Sequence, residues 1–383
     1  MVAYTFYETD NRVRRYAETL VKRGDAVEAI VLRRERQSPF EIVNGVHVYR
    51  IQTRVRDERN PFSYLGRLLA FLLRSALVLT RHHLRTHYDI IHVHSVPDFQ
   101  VFSTMIPRLM GARVILDVHD IVPELYASKF KVEERSLAFR LLLLVEKLSC
   151  AYADHVIIAN HLWHKKLIQR SVRPEKCTAI INYPDPSIFS CRSRAIAVSD
   201  DFVICYPGTL NRHQGVDLAI AAVALLRDKI RNLKFLVIGD GPDGDRLKTM
   251  VKQLHVEDQV TITGLIPMEQ VADTMATVDL GVVPKRKDSF GNEAFSTKIM
   301  EFMAMGVPVV VADTRIDRYY FNEELVQFFE SENVEDLATK ILELEQSPKR
   351  RSALRACAAH FIEQNNWDIR KREYLDLVDR LTG

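Results

Sequence analysis

Glu293 and Glu301 stand eight positions apart, with Lys298 between them, in the stretch SFGNEAFSTKIMEFMAMGVPVV (289–310). Ser296 and Thr297 are good helix N-cap residues, and Ile299, Met300, Phe302 and Met303 follow at helical spacing up to Gly306. The segment therefore reads as a loop running into a helix, with Glu293 on the loop and Glu301 inside the helix. Amides at a helix start lack intrahelical partners and sit at the positive end of the dipole, so residues 295–298 offer a site for a phosphate between the two carboxylates. Glu301 is flanked by Met300, Phe302 and Met303, which predicts burial. A buried carboxylate needs a partner, and either a ligand diol such as a ribose or a structural lysine would serve. A solvated acid pair is the plain alternative.

Three further loops carry residues suited to chemistry. YPGTLNRHQG (206–215) follows a β-branched run and opens a helical pattern, so Gly208 permits a tight turn or a close approach of a ligand, and Arg212 and His213 add positive charge. IGDGPDGDRL (238–247) repeats the pattern around Gly239, and neither loop matches a P-loop or G-x-G-x-x-G. Asp243 and Asp245 spell D-x-D, but ahead of a helix they read as a cap and a first-turn acid rather than as metal ligands. DVHDIVPEL places His119, Asp120 and Glu124 just past a strand, where a structural and a catalytic histidine are both open readings.

The elements that must position these loops follow from pattern and length. A chain of 383 residues exceeds what one hydrophobic core usually serves, and 47% hydrophobic content supports two. Short apolar runs at 27–32, 90–94, 113–117 and 155–159, then at 202–206, 234–239, 260–263, 280–283 and 308–312, alternate with helical patterns. This alternation predicts α/β architecture, with parallel sheets covered by helices. The segment 184–201 lacks periodicity and is rich in Pro, Ser and Asp, so it reads as the linker between two doubly wound domains. Such sheets bind ligands at the carboxyl ends of their strands, facing a cleft. A net charge of +3 gives no reason to expect a nucleic-acid partner. Five cysteines without a C-x-x-C pair signal neither a disulfide framework nor a zinc site, which fits a reduced cytoplasmic setting. The N-terminal stretch has no charged region before an apolar core, and no signal peptide is read there.

Taken in order, strand, G-x-L-x-x-x-x-G, V-I-G-D-G-P, D-L-G-V-V-P, E-x7-E and M-A-x-G-V-P-V-V resemble the retaining glycosyltransferases of family four. H-V-H-S at 92–95, V-H-D at 118–120 and N-Y-P-D ahead of the linker extend the likeness over nearly the whole chain. The resemblance implies the GT-B fold, two Rossmann-like domains facing across a cleft: an acceptor domain over 1–185, a donor domain over 186–364, and a C-terminal helix, 365–383, packing back on the first. It implies a nucleoside-diphosphate sugar as donor and a glycan or lipid-linked acceptor, with no metal and no other cofactor. Glu293 would lie near the transferred sugar, Glu301 would bind the ribose, and the amides of Phe295 and Ser296 would hold the diphosphate. His119 would stand beside the sugar in the first domain, while Gly208, Gly239, Gly264, Leu265 and Ile266 would line the donor. Asp10, Arg12 and Asp120 are expected on the acceptor side.

Two departures from the family pattern stand out. Thr209 and Gln214 occupy the places where relatives commonly carry an Arg and Lys pair for the diphosphate; Arg212, His213 or Lys298 would have to supply the charge. YETDNRVRR replaces the usual glycine-rich loop, after a first strand that reads as short, as it would if a few upstream residues were absent.

The stretch 61–87 has Leu, Phe and Val at helical spacing, with Arg67, Arg74, Arg81 and Arg85 recurring along it. Its charge-free runs read as too short to span a bilayer, leaving a helix lying on an anionic membrane or a core helix with a solvated arginine face. Within the same fold, an epimerase or a phosphorylase-like enzyme is the runner-up, and a noncatalytic sugar-nucleotide-binding subunit is the reading from another class. A dinucleotide oxidoreductase lacks its glycine fingerprint.

Overall fold

A computed structural model describes residues 1–54, 61–130, 136–191 and 200–383. Part of the stretch read as the linker, 192–199, lies outside the described residues. The chain forms two compact units, Met1–Asn182 with Lys371–Gly383, and Tyr183–Arg370.

The first unit holds strands β1 (Val2–Ala3), β2 (Glu28–Arg33), β3 (Phe40–Val43), β4 (Val46–Thr53), β5 (Ile90–His94), β6 (Arg113–Val118), β7 (His155–Ile158) and β8 (Cys177–Ala179), ordered β3-β4-β2-β1-β5-β6-β7-β8. Neighbours run parallel except β3 and β4, which form an antiparallel hairpin at the edge. The reading of all-parallel sheets thus missed this hairpin, although Asn44 and Gly45 at its tip take the positive φ of 51° and 82° that favours Asn-Gly turns.

Around this sheet run α1 (Asn11–Arg23), α2 (Pro61–Thr86), α3 (Met105–Leu109), α4 (Val122–Phe130), α5 (Leu137–Tyr152) and α6 (His161–Arg170). The β1–α1–β2 connection moves toward one edge of the sheet; those through α2, α3, α5 and α6 all move toward the other. Parallel crossovers are right-handed, so α1 covers one face and α2, α3, α5 and α6 the opposite face.

The second unit holds β9 (Phe202–Pro207), β10 (Leu233–Ile238), β11 (Val260–Gly264), β12 (Leu280–Val283), β13 (Val309–Ala312) and β14 (Gln327–Phe329), all parallel, ordered β11-β10-β9-β12-β13-β14. Its helices are α7 (Val216–Leu226), α8 (Gly244–Gln253), α9 (Met268–Thr277), α10 (Thr297–Ala304), α11 (Arg315–Tyr320), α12 (Val334–Gln346) and α13 (Pro348–Gln364). Ile204, Val237, Val282 and Val310 of the sheet pack with Ala219, Val223 and Ile341 of α7 and α12 in the core. The last helix, α14 (Trp367–Thr382), starts in the second unit, where the Trp367 amide donates to the Pro184 carbonyl at 2.9 Å. It ends in the first, where Tyr374 lies 4.3 Å from the ring of Tyr16.

Every run read as a strand is one. Strand order reverses between β1 and β5 and between β9 and β12, the switch points at which doubly wound sheets place their ligands.

Candidate active site

In the second unit, three glycines from three consecutive loops lie side by side. The Gly208 amide donates to the Ile238 carbonyl at 2.7 Å and the Gly239 amide to the Gly264 carbonyl at 3.0 Å, so the ends of β9, β10 and β11 are stapled together. Gly239 has φ of 142°, and a Cβ there would stand 1.9 Å from the Gly208 carbonyl oxygen. Gly208 has φ of 143°, and its Cβ would stand 2.2 Å from Cε of Lys298. A side chain is strained at both positions by the backbone, and at Gly208 it would also displace the end of the lysine lying across it. Beyond Gly264, Leu265 is 73% exposed and Ile266 half-buried, leaving an apolar surface beside the glycine loops.

Lys298 projects from the first turn of α10. Its Nζ lies 3.3 Å from Oε1 of Gln214 and 5.3 Å from the ring centre of Tyr206, whose hydroxyl stands 3.0 Å from the Thr209 carbonyl. Desolvation, with Lys285 adding repulsion, outweighs the attraction of Glu301 and Asp317 and lowers the Lys298 ammonium to a pKa of about 8. Beside it, His213 is held below its usual range, chiefly by burial. Arg212 is exposed, and its guanidinium has no ion pair among the described residues. Its carbonyl accepts from Arg286 Nη1 at 2.7 Å, and Arg286 grips both oxygens of Asp217 at 2.9 Å, which fixes the loop into α7.

The helix read at 297–305 is α10, and Ser296 holds its N-cap position without a side-chain cap. The Ser296 hydroxyl is instead buried with no hydrogen-bond partner. The amides of Phe295 and Ser296 donate to no acceptor among the described residues, while the Phe295 ring packs on Tyr320 at 4.8 Å. Ile299, Met300, Phe302 and Met303 are buried, but Glu301 is only half-buried, which corrects the expectation of a buried carboxylate. Thr297, Lys298 and Glu301 form the one stripe of α10 that the core does not cover, Glu301 lying three and four positions from the other two. Glu293, half-buried in the preceding loop, meets Arg315 at 3.1 Å. Asp243 occupies the N-cap of α8, yet its carboxylate grips Arg246 at 2.6 Å through both oxygens instead of capping.

In the first unit, Asp117 is the centre of a charged cluster. Arg12 donates to both of its oxygens at 2.7 Å, and His94 Nδ1 and His119 Nε2 each lie 3.2 Å from Oδ2. Burial alone would raise the Asp117 carboxyl, but Arg12 and His119 reverse this and hold it well below the usual carboxylate range. Burial pushes His94 down to about 4, so its ring is neutral near pH 7. His92, His94 and Asp117 have ligand atoms within 4.8 Å of one another, as a cation would need. However, the two imidazoles are stacked with centres 4.1 Å apart, and both Asp117 oxygens already hold a guanidinium. The cation of this cluster is Arg12.

Arg12, expected on the acceptor side, is 3% exposed and also donates to the Ile180 carbonyl and to Asn182. Asp10 accepts from the Val13 amide at 3.1 Å as the cap of α1. Arg12 is thus an enclosed structural cation, whereas Asp10 stays half-buried at the start of α1. Asp120 is half-buried next to His119, with burial raising its carboxyl against the pull of His119 and Arg12.

Known families match both units. The description "Glycosyl transferase 4-like domain" fits residues 9–182, and "Glycosyl transferases group 1" fits 192–361. The chain belongs to the family-four type of glycosyltransferase. D-inositol 3-phosphate glycosyltransferase of Thermomonospora curvata is 23% identical over 390 residues, covering 95% of this chain and 87% of that one. Among solved structures, sucrose-phosphate synthase of Thermosynechococcus elongatus superposes with a TM-score of 0.81 at 19% identity, covering 99% and 98% of the two chains. HepE of Anabaena, solved with UDP and glucose, gives 0.74 at 17%, with the same coverage. The fold is therefore GT-B.

Sequence reading of this glycosyltransferase missed one group beneath the E-x7-E loop. Lys285, just past β12, pairs with Asp317 at 2.9 Å, both fully enclosed, and donates to the Ala294 carbonyl at 2.8 Å. Thr314 caps α11, its hydroxyl accepting from the Asp317 amide and donating to the Asp317 carboxylate at 2.6 Å. The T-x-x-D spacing at 314–317 was the available signal.

Proposed function

We propose that this glycosyltransferase moves a sugar from a nucleoside-diphosphate sugar to a glycan or lipid-linked acceptor, with retention of configuration and without a metal. The observation that carries this reading is the convergence of Lys298, the unpartnered amides of Phe295 and Ser296, and the glycine loops at 208 and 239. A departing diphosphate develops negative charge, and a fixed ammonium and oriented amides stabilise it in place of a metal. Glu301, on the same open stripe of α10 as Lys298, serves the ribose; Glu293 serves the sugar hydroxyls; Leu265 and Ile266 lie against the base. Arg212 is a second, more exposed cation for the diphosphate.

A diphosphate oxygen takes the acceptor proton on the face that it leaves, so no protein nucleophile is required. His119, oriented by Asp117, bonds the transferred sugar, and Asp120 beside it bears on the acceptor. HepE was solved with UDP and glucose, which supports uracil as the base. Relatives named for amylovoran and colanic acid biosynthesis support a role in making polysaccharides or glycoconjugates. That role would lie at the cytoplasmic side of a membrane, where α2 would meet it.

The test is to supply candidate nucleotide sugars with a panel of glycan and lipid-linked acceptors and to read the anomeric configuration of the product by NMR. An α-linked product from an α-linked donor, formed in EDTA, supports the proposal. An isomerised nucleotide sugar formed without acceptor would instead identify an epimerase.

A further inference from the structure

Helix α2 has three distinct faces. Leu68, Phe71, Ser75, Leu79 and His83 recur at three- and four-residue spacing and are buried in the first unit. Next to them around the helix, Leu65, Leu69, Leu73, Leu77 and Leu84 are exposed, with Leu73 at 64% and Leu77 at 72%. At about 100° per residue, these leucines span about 120° of the helix, and Arg67, Arg74, Arg81 and Arg85 fall in a band about 40° wide directly beside them. No Asp or Glu occurs anywhere in 61–86.

Contrary to the expectation from sequence, Ser63–Thr86 is long and apolar enough to cross a membrane, with a mean hydropathy of 1.3 over its most apolar window. Its place in the fold says otherwise. It is the crossover from β4 to β5, and its buried face ties it to the sheet. Removing it would expose Phe71 and Leu79, so the leucine stripe is a surface feature of a folded unit.

The stripe has neighbours of the same character. α3 packs against α2 and presents Leu109 at 82% exposure, and α5 presents Leu137, Leu141, Leu144 and Leu148 at helical spacing. The 3-10 turn Asp98–Thr104 packs against all three helices, which share one face of the sheet. Soluble monomers rarely expose contiguous apolar patches beyond a few hundred Å². The charge on these helices has one sign: Arg74, Arg81, Arg140 and Lys147 are exposed, whereas the single acid, Glu146 of α5, is buried and bonded to Arg170 at 2.8 Å.

We propose that α2, α3 and α5 together form a monotopic docking face that lies flat on an anionic lipid bilayer. The leucines enter the boundary between headgroups and acyl chains, and the arginines meet lipid phosphates. Docking would bring the first unit to the surface where a lipid-linked acceptor resides, and in that purpose the inference rests on the function proposed above.

The test is cosedimentation of the full chain with phosphatidylcholine vesicles containing about a third phosphatidylglycerol, against phosphatidylcholine alone. The expected result is binding to the anionic vesicles at low salt, weakened by high salt, and about ten-fold or more weaker in a Leu73→Glu/Leu77→Glu variant. A Leu137→Glu/Leu141→Glu variant should show the same loss from a separate helix. No sedimentation of the wild-type chain at low salt, or binding unchanged in both variants, overturns the proposal. So does a dimer in light scattering that the leucine substitutions dissociate while vesicles leave it untouched, because the face would then belong to a second copy. Titration of UDP into the wild-type chain and both variants keeps the readings apart: variants that bind UDP but not vesicles support the docking face, whereas a wild-type chain that binds UDP but not vesicles rejects it and leaves the donor site standing.

Discussion

The ammonium of Lys298 stands 3.3 Å from Oε1 of Gln214, so α10 delivers a cation to the loop position where the family pattern calls for a lysine. The charge missing from one element is present, supplied from another. Replacing Lys298 with Met removes a charge-assisted contact of about 1.5–3 kcal/mol, and nucleoside-diphosphate affinity should fall about 10- to 100-fold. Isothermal titration of UDP against uridine checks this, because uridine binding should be nearly unchanged. Lys298 has a pKa of about 8 in the folded protein against the ordinary 10.5. Diphosphate affinity should therefore decline as pH rises through 8, and Lys298→Arg should flatten that decline. The sign for folding is the opposite: the unfolded chain holds the proton more tightly between 8 and 10.5, so relief of the buried charge favours the folded state as pH rises through that window.

The glycines beside Lys298 should not tolerate alanine equally. Gly264 has φ of 76° and nothing within 4 Å of where a Cβ would stand, so alanine there meets only the strain of a left-handed backbone, about 1 kcal/mol. Gly239→Ala meets the Gly208 carbonyl as well and should cost more than about 2 kcal/mol. Urea denaturation of the two variants reads the difference, and equal costs would contradict the stapled arrangement of the loops.

Arg12 and Asp117 form a buried, bidentate pair, and breaking it leaves one charge enclosed without its partner. Arg12→Met and Asp117→Asn should each cost about 3–5 kcal/mol in chemical denaturation. The double variant should cost much less than their sum. Because the Asp117 carboxyl is held well below its ordinary 3.8, its contribution is complete above that pH and is lost as pH falls through the lower folded value.

His119 should separate binding from turnover. His119→Ala is expected to lower kcat about 10²- to 10⁴-fold while leaving UDP affinity unchanged, since the donor loops belong to the second unit. Steady-state kinetics with a parallel titration decides this, and an equal loss in both would assign His119 to folding.

Most of the sheet was legible in the sequence because buried parallel strands are continuous β-branched runs, as VILDV of β6 and LGVV of β12 illustrate. The two-residue β1 read only as a short first strand, and the three-residue β8 and β14 carried too little pattern to stand out. Glu301, Lys298 and the glycine loops could be found because their types and spacing recur within one stretch. The jobs of Asp10 and Arg12 were not legible, since nothing local shows that Arg12 reaches Asp117, 105 positions away. The Lys285–Asp317 pair was hidden for the same reason: each residue alone resembles an ordinary surface charge.

The most direct test is isothermal titration of UDP, GDP and ADP into the full chain in EDTA, repeated on Glu301→Ala. The account predicts micromolar binding of one of the three without metal, weakened about ten-fold or more when the carboxylate on the open stripe of α10 is removed. Failure of all three to bind, or binding that Glu301→Ala leaves unchanged, would contradict the donor site described for the second unit.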